Sequence, residues 1–217
     1  MQMQKSVTLD YDNRAISYLC KVDKRFNKVF SMIGPITYVI HEDGYVFLIH
    51  EIIEQMLSRK AANSIFLRLK GICNNNICPD SICRLSNDDI KNTGTSFRKV
   101  KTIRSLTDAI KDGQIILQKF PAMSDEDIIK QLTRIHGIGN WTAKMYLIFV
   151  LDRQDVLPYE DVAFLQGYKW AYKANDCSPA AVQKKCKKWK PYSSIAARYM
   201  YRALDTSLTK QEFHLFK

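Results

Sequence analysis

The chain has 217 residues, and 33 lysines and arginines against 22 aspartates and glutamates give it a formal net charge of +11. That excess points to a polyanionic partner. A content of 46% hydrophobic and 11% aromatic residues excludes a disordered tail and suffices for a packed core. The opening Met1-Gln2-Met3-Gln4-Lys5, running into Asp10, Asp12 and Arg14, does not read as a signal peptide. The longest apolar run, Met145 to Leu151, is too short to span a bilayer. Cys20, Cys73, Cys78, Cys83, Cys177 and Cys186 therefore read as reduced thiols of a cytoplasmic or nuclear protein.

Helical periodicity dominates, so the predicted class is all-α with little or no β structure. The one stretch rich in β-formers, Pro35 to Leu48, reads as a short hairpin or extended loop around Glu42-Asp43-Gly44. Ile53, Leu57, Ala61, Ile65 and Leu69 recur every four residues and predict one long core-facing helix over 51–69, stopped by Gly71. A loop to Pro79 follows, then a helix started by Ser86 with Asp88 and Asp89, and a basic helix over 96–116. Ser124, followed by Asp125, Glu126 and Asp127, caps a helix ending at Gly137. Residues 142–151 are apolar nearly all round and predict a buried helix. Further helices are expected over 162–172, 180–189 and 193–204, with breaks at Pro158 and Pro191. No linker separates independent domains, so residues 1–217 read as a single unit.

The chemically informative stretch is Leu132-Thr133-Arg134-Ile135-His136-Gly137-Ile138-Gly139-Asn140-Trp141-Thr142-Ala143-Lys144. Two glycines around one apolar residue, joining two helices, make a tight turn. Its backbone N–H groups can meet a phosphate at the start of the second helix without reading sequence. Taken alone, such a pair is more often an ordinary turn. One buried helix further on, Asp161 follows a Pro-containing loop and reads first as a helix N-cap, a position that favours negative charge.

Together, Gly137-Ile138-Gly139-Asn140-Trp141-Thr142-Ala143, Asp161, and Trp189-Lys190-Pro191-Tyr192-Ser193 with Ala196 and Ala197 closely resemble the helix-hairpin-helix DNA glycosylase superfamily. Within it, these blocks look most like the alkylpurine glycosylases known as 3-methyladenine DNA glycosylase II. The blocks at 53–62 and 94–100 agree, 23–34 agrees more weakly, and the resemblance spans about residues 23–204. It implies a two-lobed helical fold with DNA across the hairpin (about 132–144) and the base pocket between lobes. It further implies monofunctional hydrolysis of the N-glycosidic bond of alkylated purines of the 3-methyladenine and 7-methylguanine type, in base excision repair.

Carried over position by position, Asp161 is the catalytic carboxylate, and Gly137, Ile138, Gly139 and Trp141 grip DNA. Met56 would be the wedge, with Gln55 before it also facing DNA. Trp141, Tyr201 and Met145 would line the base pocket, while Lys144 reads as a solvated or phosphate-facing charge. The partner implied is damaged double-stranded DNA, with the protein a monomer and no membrane involved. The resemblance implies no organic cofactor or catalytic metal, and it suggests a monovalent cation at the hairpin carbonyls.

Departures from the family bear on chemistry. Bifunctional relatives carry a lysine two positions after the second hairpin glycine, where this chain has Trp141. Met145 and Val162 replace aromatics found in some relatives, which leaves deaminated, mismatched or oxidised bases as alternative substrates. A rival of another class, a catalytically silent protein that binds distorted DNA, is opposed by the presence of Asp161. Only Cys177 and Cys186 follow Asp161, too few for a four-cysteine iron–sulfur cluster. Cys73, Cys78 and Cys83 lack a CxxC pair and read as ordinary thiols before a zinc site. The lysines of 184–190 read first as a solvated face.

Overall fold

The computed structural model describes residues 5–216, and the Met1–Gln4 opening lies outside the described residues. In chain order the elements are β1 (Ser6–Leu9), α1 (Arg14–Val22), α2 (Lys24–Ile33), β2 (Ile36–Val39), α3 (Gly44–Glu54), α4 (Arg59–Ile72), α5 (Pro79–Arg84), α6 (Asn87–Asn92), α7 (Phe97–Lys111), α8 (Asp125–Leu132), α9 (Asn140–Phe149), α10 (Val162–Tyr172), α11 (Pro179–Cys186) and α12 (Ser193–Asp205). Short 3₁₀ turns cover Leu117–Ala122, Lys187–Trp189 and Leu208–Lys210. Among the described residues the fold is all-helical apart from one two-stranded antiparallel sheet. It divides into two units, one made of the segments up to Ile40 and from Asp152 onward, the other of His41–Leu151.

In the first unit β1 pairs with β2, Ser6 opposite Val39 and Leu9 opposite Ile36. Helices α10 and α12 pack together, and α2 touches both. Their approach requires Gly167, where an added Cβ would overlap the Met200 carbonyl oxygen and lie 2.9 Å from Met200 Cβ. Fully buried Phe26, Phe164, Trp189 and Tyr199 fill the core, with the Phe26 and Tyr199 rings edge to face at 5.3 Å.

Asp23 ties three elements of this unit together. Its Oδ1 caps α2, accepting the N–H of Arg25 at 3.0 Å and of Phe26 at 3.3 Å. Its Oδ2 accepts from the Tyr172 hydroxyl and, at 2.9 Å, from Trp189 Nε1, while Lys188 Nζ lies 3.0 Å away. Burial alone would raise the pKa of this carboxyl, but the donors Tyr172, Lys188 and Trp189 carry it below the usual carboxylate value.

In the second unit α3 packs against α4, α7 and α9, and α8 against α9. Asp43 caps α3 by accepting the Val46 N–H at 2.9 Å. Gly44 is required there, because a Cβ would fall on the Tyr146 ring, which also forms a T-shaped pair with Phe120, ring centroids 5.6 Å apart.

The structure corrects several predicted boundaries. The expected hairpin within 35–48 is absent: only 36–39 is strand, its partner is 6–9, and Tyr45 to Leu48 lie in α3. A short apolar run suits a buried helix as well as a strand, and the Asp43 cap decides. The single helix expected over 51–69 is two helices broken at 55–58. Met56 is left-handed with φ +58°, and Ser58 caps α4 through the Ala61 N–H at 3.3 Å. Gly71 lies inside α4, and the left-handed residues after that helix are Asn74 and Asn75. The basic helix ends at Lys111, before left-handed Gly113, and α8 ends at Leu132, five residues short of Gly137.

Asp23→Ala leaves the buried Tyr172 and Trp189 donors without their acceptor and is expected to lower stability by about 3 kcal/mol. Lys188→Met, at a side chain 37% exposed, is expected to lose under about 1 kcal/mol. Urea unfolding ranks the two variants, and equal losses contradict the assignment. Because the folded pKa of Asp23 is depressed, its contribution is present above about pH 4 and fades as pH falls through the folded value.

Candidate active site

The glycine hairpin lies in the second unit. After α8, Ile135 and Ile138 turn inward, and the Ile138 N–H donates to the Ile135 carbonyl at 3.0 Å. Gly137 has φ +91°, and an added Cβ would fall on Thr102 Oγ1 and sit 3.1 Å from Thr102 Cβ. Gly139 starts α9 in extended conformation with no side-chain cap, and nothing lies within 4 Å of where its Cβ would be. The first N–H groups of α9 are thus not covered by a capping side chain at Gly139. That arrangement, with the helix dipole, suits a phosphate.

Beside it lies the break between α3 and α4. Gln55 Nε2 donates to the Gly137 carbonyl at 3.0 Å and to Thr142 Oγ1 at 3.3 Å. Gln55, expected to face DNA, therefore has its amide turned to the hairpin. Met56 is fully exposed, at 101%. Lys99 on α7 donates from Nζ to the carbonyls of Ile53 at 2.9 Å and Gln55 at 2.6 Å. Burial lowers its pKa. In the sequence Lys99 stands out only as part of the basic 96–116 helix and of the 94–100 block, since contacts between distant elements leave no local pattern.

On α9, Trp141 is half-buried and Met145 is buried. Lys144, expected to be a solvated or phosphate-facing charge, is instead only 8% exposed.

In the first unit Asp161 is 7% exposed and is the N-cap of α10, its Oδ1 accepting the Phe164 N–H at 2.7 Å. Phe164 packs edge to face with Tyr201 of α12, ring centroids 6.4 Å apart. The loop leading to Asp161 is tied to the start of α12. Ser193 Oγ donates to Asp155 Oδ1 at 2.5 Å, the Val156 N–H donates to Ser194 Oγ at 2.8 Å, and the Ser194 N–H donates to the Gln154 carbonyl at 2.9 Å. The block from Trp189 to Ser193 thus anchors Asp23 at one end and the Asp161 loop at the other. Of the lysine run, Lys184, Lys185, Lys187 and Lys190 are exposed, but Lys188 turns to Asp23.

Among the described residues, the group of three side chains close enough to hold a metal ion is His50, Glu51 and Glu54. Cys78 instead caps α5 by accepting the Ser81 N–H at 3.4 Å, Cys73 is buried and Cys83 is exposed. His50 Nδ1 lies 3.7 Å from Glu51 and 3.5 Å from Glu54. The hydrogen bond to Glu51 raises the His50 pKa, burial opposes it, and the charges of both glutamates add to the rise. A cation in the last turn of α3 also suits the helix dipole.

Comparison with known proteins bears directly on this arrangement. Residues 49–191 match the HhH-GPD superfamily base excision DNA repair protein family. The chain is 31% identical to DNA-3-methyladenine glycosylase 1 of Schizosaccharomyces pombe over 196 residues, 87% of this chain and 86% of the relative. It belongs to the HhH-GPD superfamily. Two solved structures of such proteins are similar over nearly the whole chain. A DNA-3-methyladenine glycosidase from Bacillus halodurans has a TM-score of 0.85 at 27% identity, covering 96% of this chain and 97% of its own. The Schizosaccharomyces pombe 3-methyladenine DNA glycosylase in complex with abasic DNA has a TM-score of 0.82 at 29% identity, covering 89% and 97%. The HhH-GPD match begins within α3 and contains both the hairpin and Asp161. No helix of the described residues is long and apolar enough to cross a membrane.

The two hairpin glycines are expected to respond differently to alanine. Gly137→Ala forces a methyl group into Thr102 at a left-handed position and is expected to cost about 1–3 kcal/mol. Gly139→Ala, in open space, is expected to change stability by less than about 1 kcal/mol. Thermal or urea unfolding separates them, and equal effects contradict the packing described. His50 gives a pH signature. Its raised folded pKa means its contribution is complete below the unfolded value near 6.5 and is lost as pH rises through the folded value. Wild type should therefore lose stability from pH 6 upward relative to His50→Gln; a parallel pH dependence contradicts the ion pair.

Proposed function

We propose that the protein is a monofunctional DNA glycosylase that removes alkylated purines of the 3-methyladenine and 7-methylguanine type from double-stranded DNA, leaving an abasic site. The observation that carries this reading is Asp161, a carboxylate held at the start of α10 in a chain that also keeps the glycine hairpin. The relatives named as 3-methyladenine glycosylases support the substrate class.

The chemistry needs little else. Alkylation at N3 or N7 makes the purine cationic, so it departs without a general acid, and the difficult species is the oxocarbenium-like sugar. Asp161 would face that positive charge and orient the attacking water, a role for a fixed carboxylate. No organic cofactor or catalytic metal enters this scheme, and a monovalent cation at the hairpin carbonyls would serve DNA binding alone. Trp141 and Tyr201 would favour a cationic base over a neutral one by about 0.5–2 kcal/mol per contact. Extruding the base costs a few kcal/mol, least for a damaged pair. A lyase step requires an amine nucleophile. The position that holds it in bifunctional relatives is Trp141, and Lys144 is buried. The protein would act as a monomer.

Release of free base from methylated duplex DNA, wild type against Asp161→Asn at matched DNA occupancy, tests this reading. Release should fall by at least about 100-fold in the variant, with strand breaks appearing only after alkali. Equal release by both proteins, or breaks without alkali, contradicts it. Tight binding with no release by wild type would point to another lesion or to a silent DNA-binding protein.

A further inference from the structure

Met56 combines two features that packing does not account for: a wholly exposed thioether side chain and a left-handed backbone, φ +58°, at a residue that is not glycine. Both are disfavoured in isolation, so surrounding contacts must impose them. The contacts come from two directions. Lys99 holds the backbone on either side of residue 54 through the carbonyls of Ile53 and Gln55. The Gln55 side chain holds the hairpin, its amide donating to the Gly137 carbonyl and the Thr142 hydroxyl.

Helix α7 closes the arrangement. Thr102 stands three residues after Lys99, about one turn along the same helix face. Lys99 reaches the loop, while Thr102 occupies the space a Cβ on Gly137 would need. The Met56 loop, the hairpin and α7 therefore meet pairwise: loop to hairpin through Gln55, loop to α7 through Lys99, hairpin to α7 through Gly137 and Thr102. The residue types suit their places. The amide NH2 of Gln55 carries two donors, one for each of its acceptors, and a cation suits the carbonyls at the C-terminal end of α3.

We infer that Gln55 and Lys99 are positioning residues that hold Met56 as a preset wedge, rigidly joined to the phosphate-binding hairpin, so that backbone grip and insertion into the base stack are one docking event. This deepens the glycosylase reading and rests on it. Met56 need not be ordered by DNA, because its loop is already fixed in the free protein.

The test uses the full chain and two substrates, a methylated purine in a paired duplex and the same lesion in a single-stranded bulge, where little extrusion is required. In single-turnover release, Gln55→Ala, Lys99→Met and Met56→Ala should each slow the paired substrate about tenfold and the bulged one less than about threefold. Lys99→Arg, which keeps donors for both carbonyls, should retain most of the paired rate. In protein without DNA, amide hydrogen exchange at residues 55–58 should accelerate in Gln55→Ala and Lys99→Met. Equal slowing on both substrates, or unchanged exchange in the loop, overturns the inference. If wild type releases no base from either substrate, the glycosylase reading fails, and hydrogen exchange still decides whether the two residues fix the loop.

Discussion

The hydrogen bond from the Phe164 N–H to the Asp161 carboxylate, at 2.7 Å, fixes the one acidic side chain on which the proposed chemistry depends. A carboxylate at a helix N-terminus is oriented by the backbone it caps. Its position is therefore only as good as that of α10. That helix is held by the close approach at Gly167 against α12 and by the Asp23 cluster, which reaches Tyr172 at the far end of α10. The two serines at the start of α12 hold the incoming loop. The block from Trp189 to Ser193 is thus structural support for the carboxylate, with no need for its members to touch substrate.

The second unit solves a different problem, starting a helix from a residue that puts no capping side chain over the first backbone N–H groups. Gly139 leaves the start of α9 open, while Gly137 makes the turn possible and lets Thr102 approach. The adjacent loop presents Met56 outward under constraint from Gln55 and Lys99. An all-helical chain provides such sites cheaply, because every helix start carries unpaired donors and most are closed by their own caps, as Ser58, Ser86, Ser96 and Ser124 close theirs. The α9 start differs in having glycine where those helices have serine.

Much of this was legible in the sequence, and what was not has a common cause. The α10 boundaries follow from Pro158 and the Asp161 cap, and the hairpin from its two glycines. The break at Met56 was hidden because the apolar four-residue repeat continues across it, so a periodicity reading sees one stripe where two helices each bury part. Ser58 was the available signal. Asp23 as a helix cap is a local feature, but its other partners, Tyr172 and Trp189, lie 149 and 166 residues later. Lys99, Thr102 and Lys144 were misjudged or missed for the same reason: their surroundings come from elements distant in sequence.

Transition-state charge is the quantity on which the account turns. If the fixed carboxylate acts on the positive sugar, the protein must prefer a cationic sugar mimic to a neutral one of the same shape, and the preference must reside in Asp161. The most direct measurement is binding to duplex DNA carrying a protonated pyrrolidine in place of the deoxyribose, against the neutral tetrahydrofuran analogue, for wild type and Asp161→Asn. Wild type should bind the cationic analogue tighter by about tenfold or more, about 1.4 kcal/mol, and the variant should bind both alike. Equal affinity in wild type, or a preference that survives in Asp161→Asn, would contradict the account.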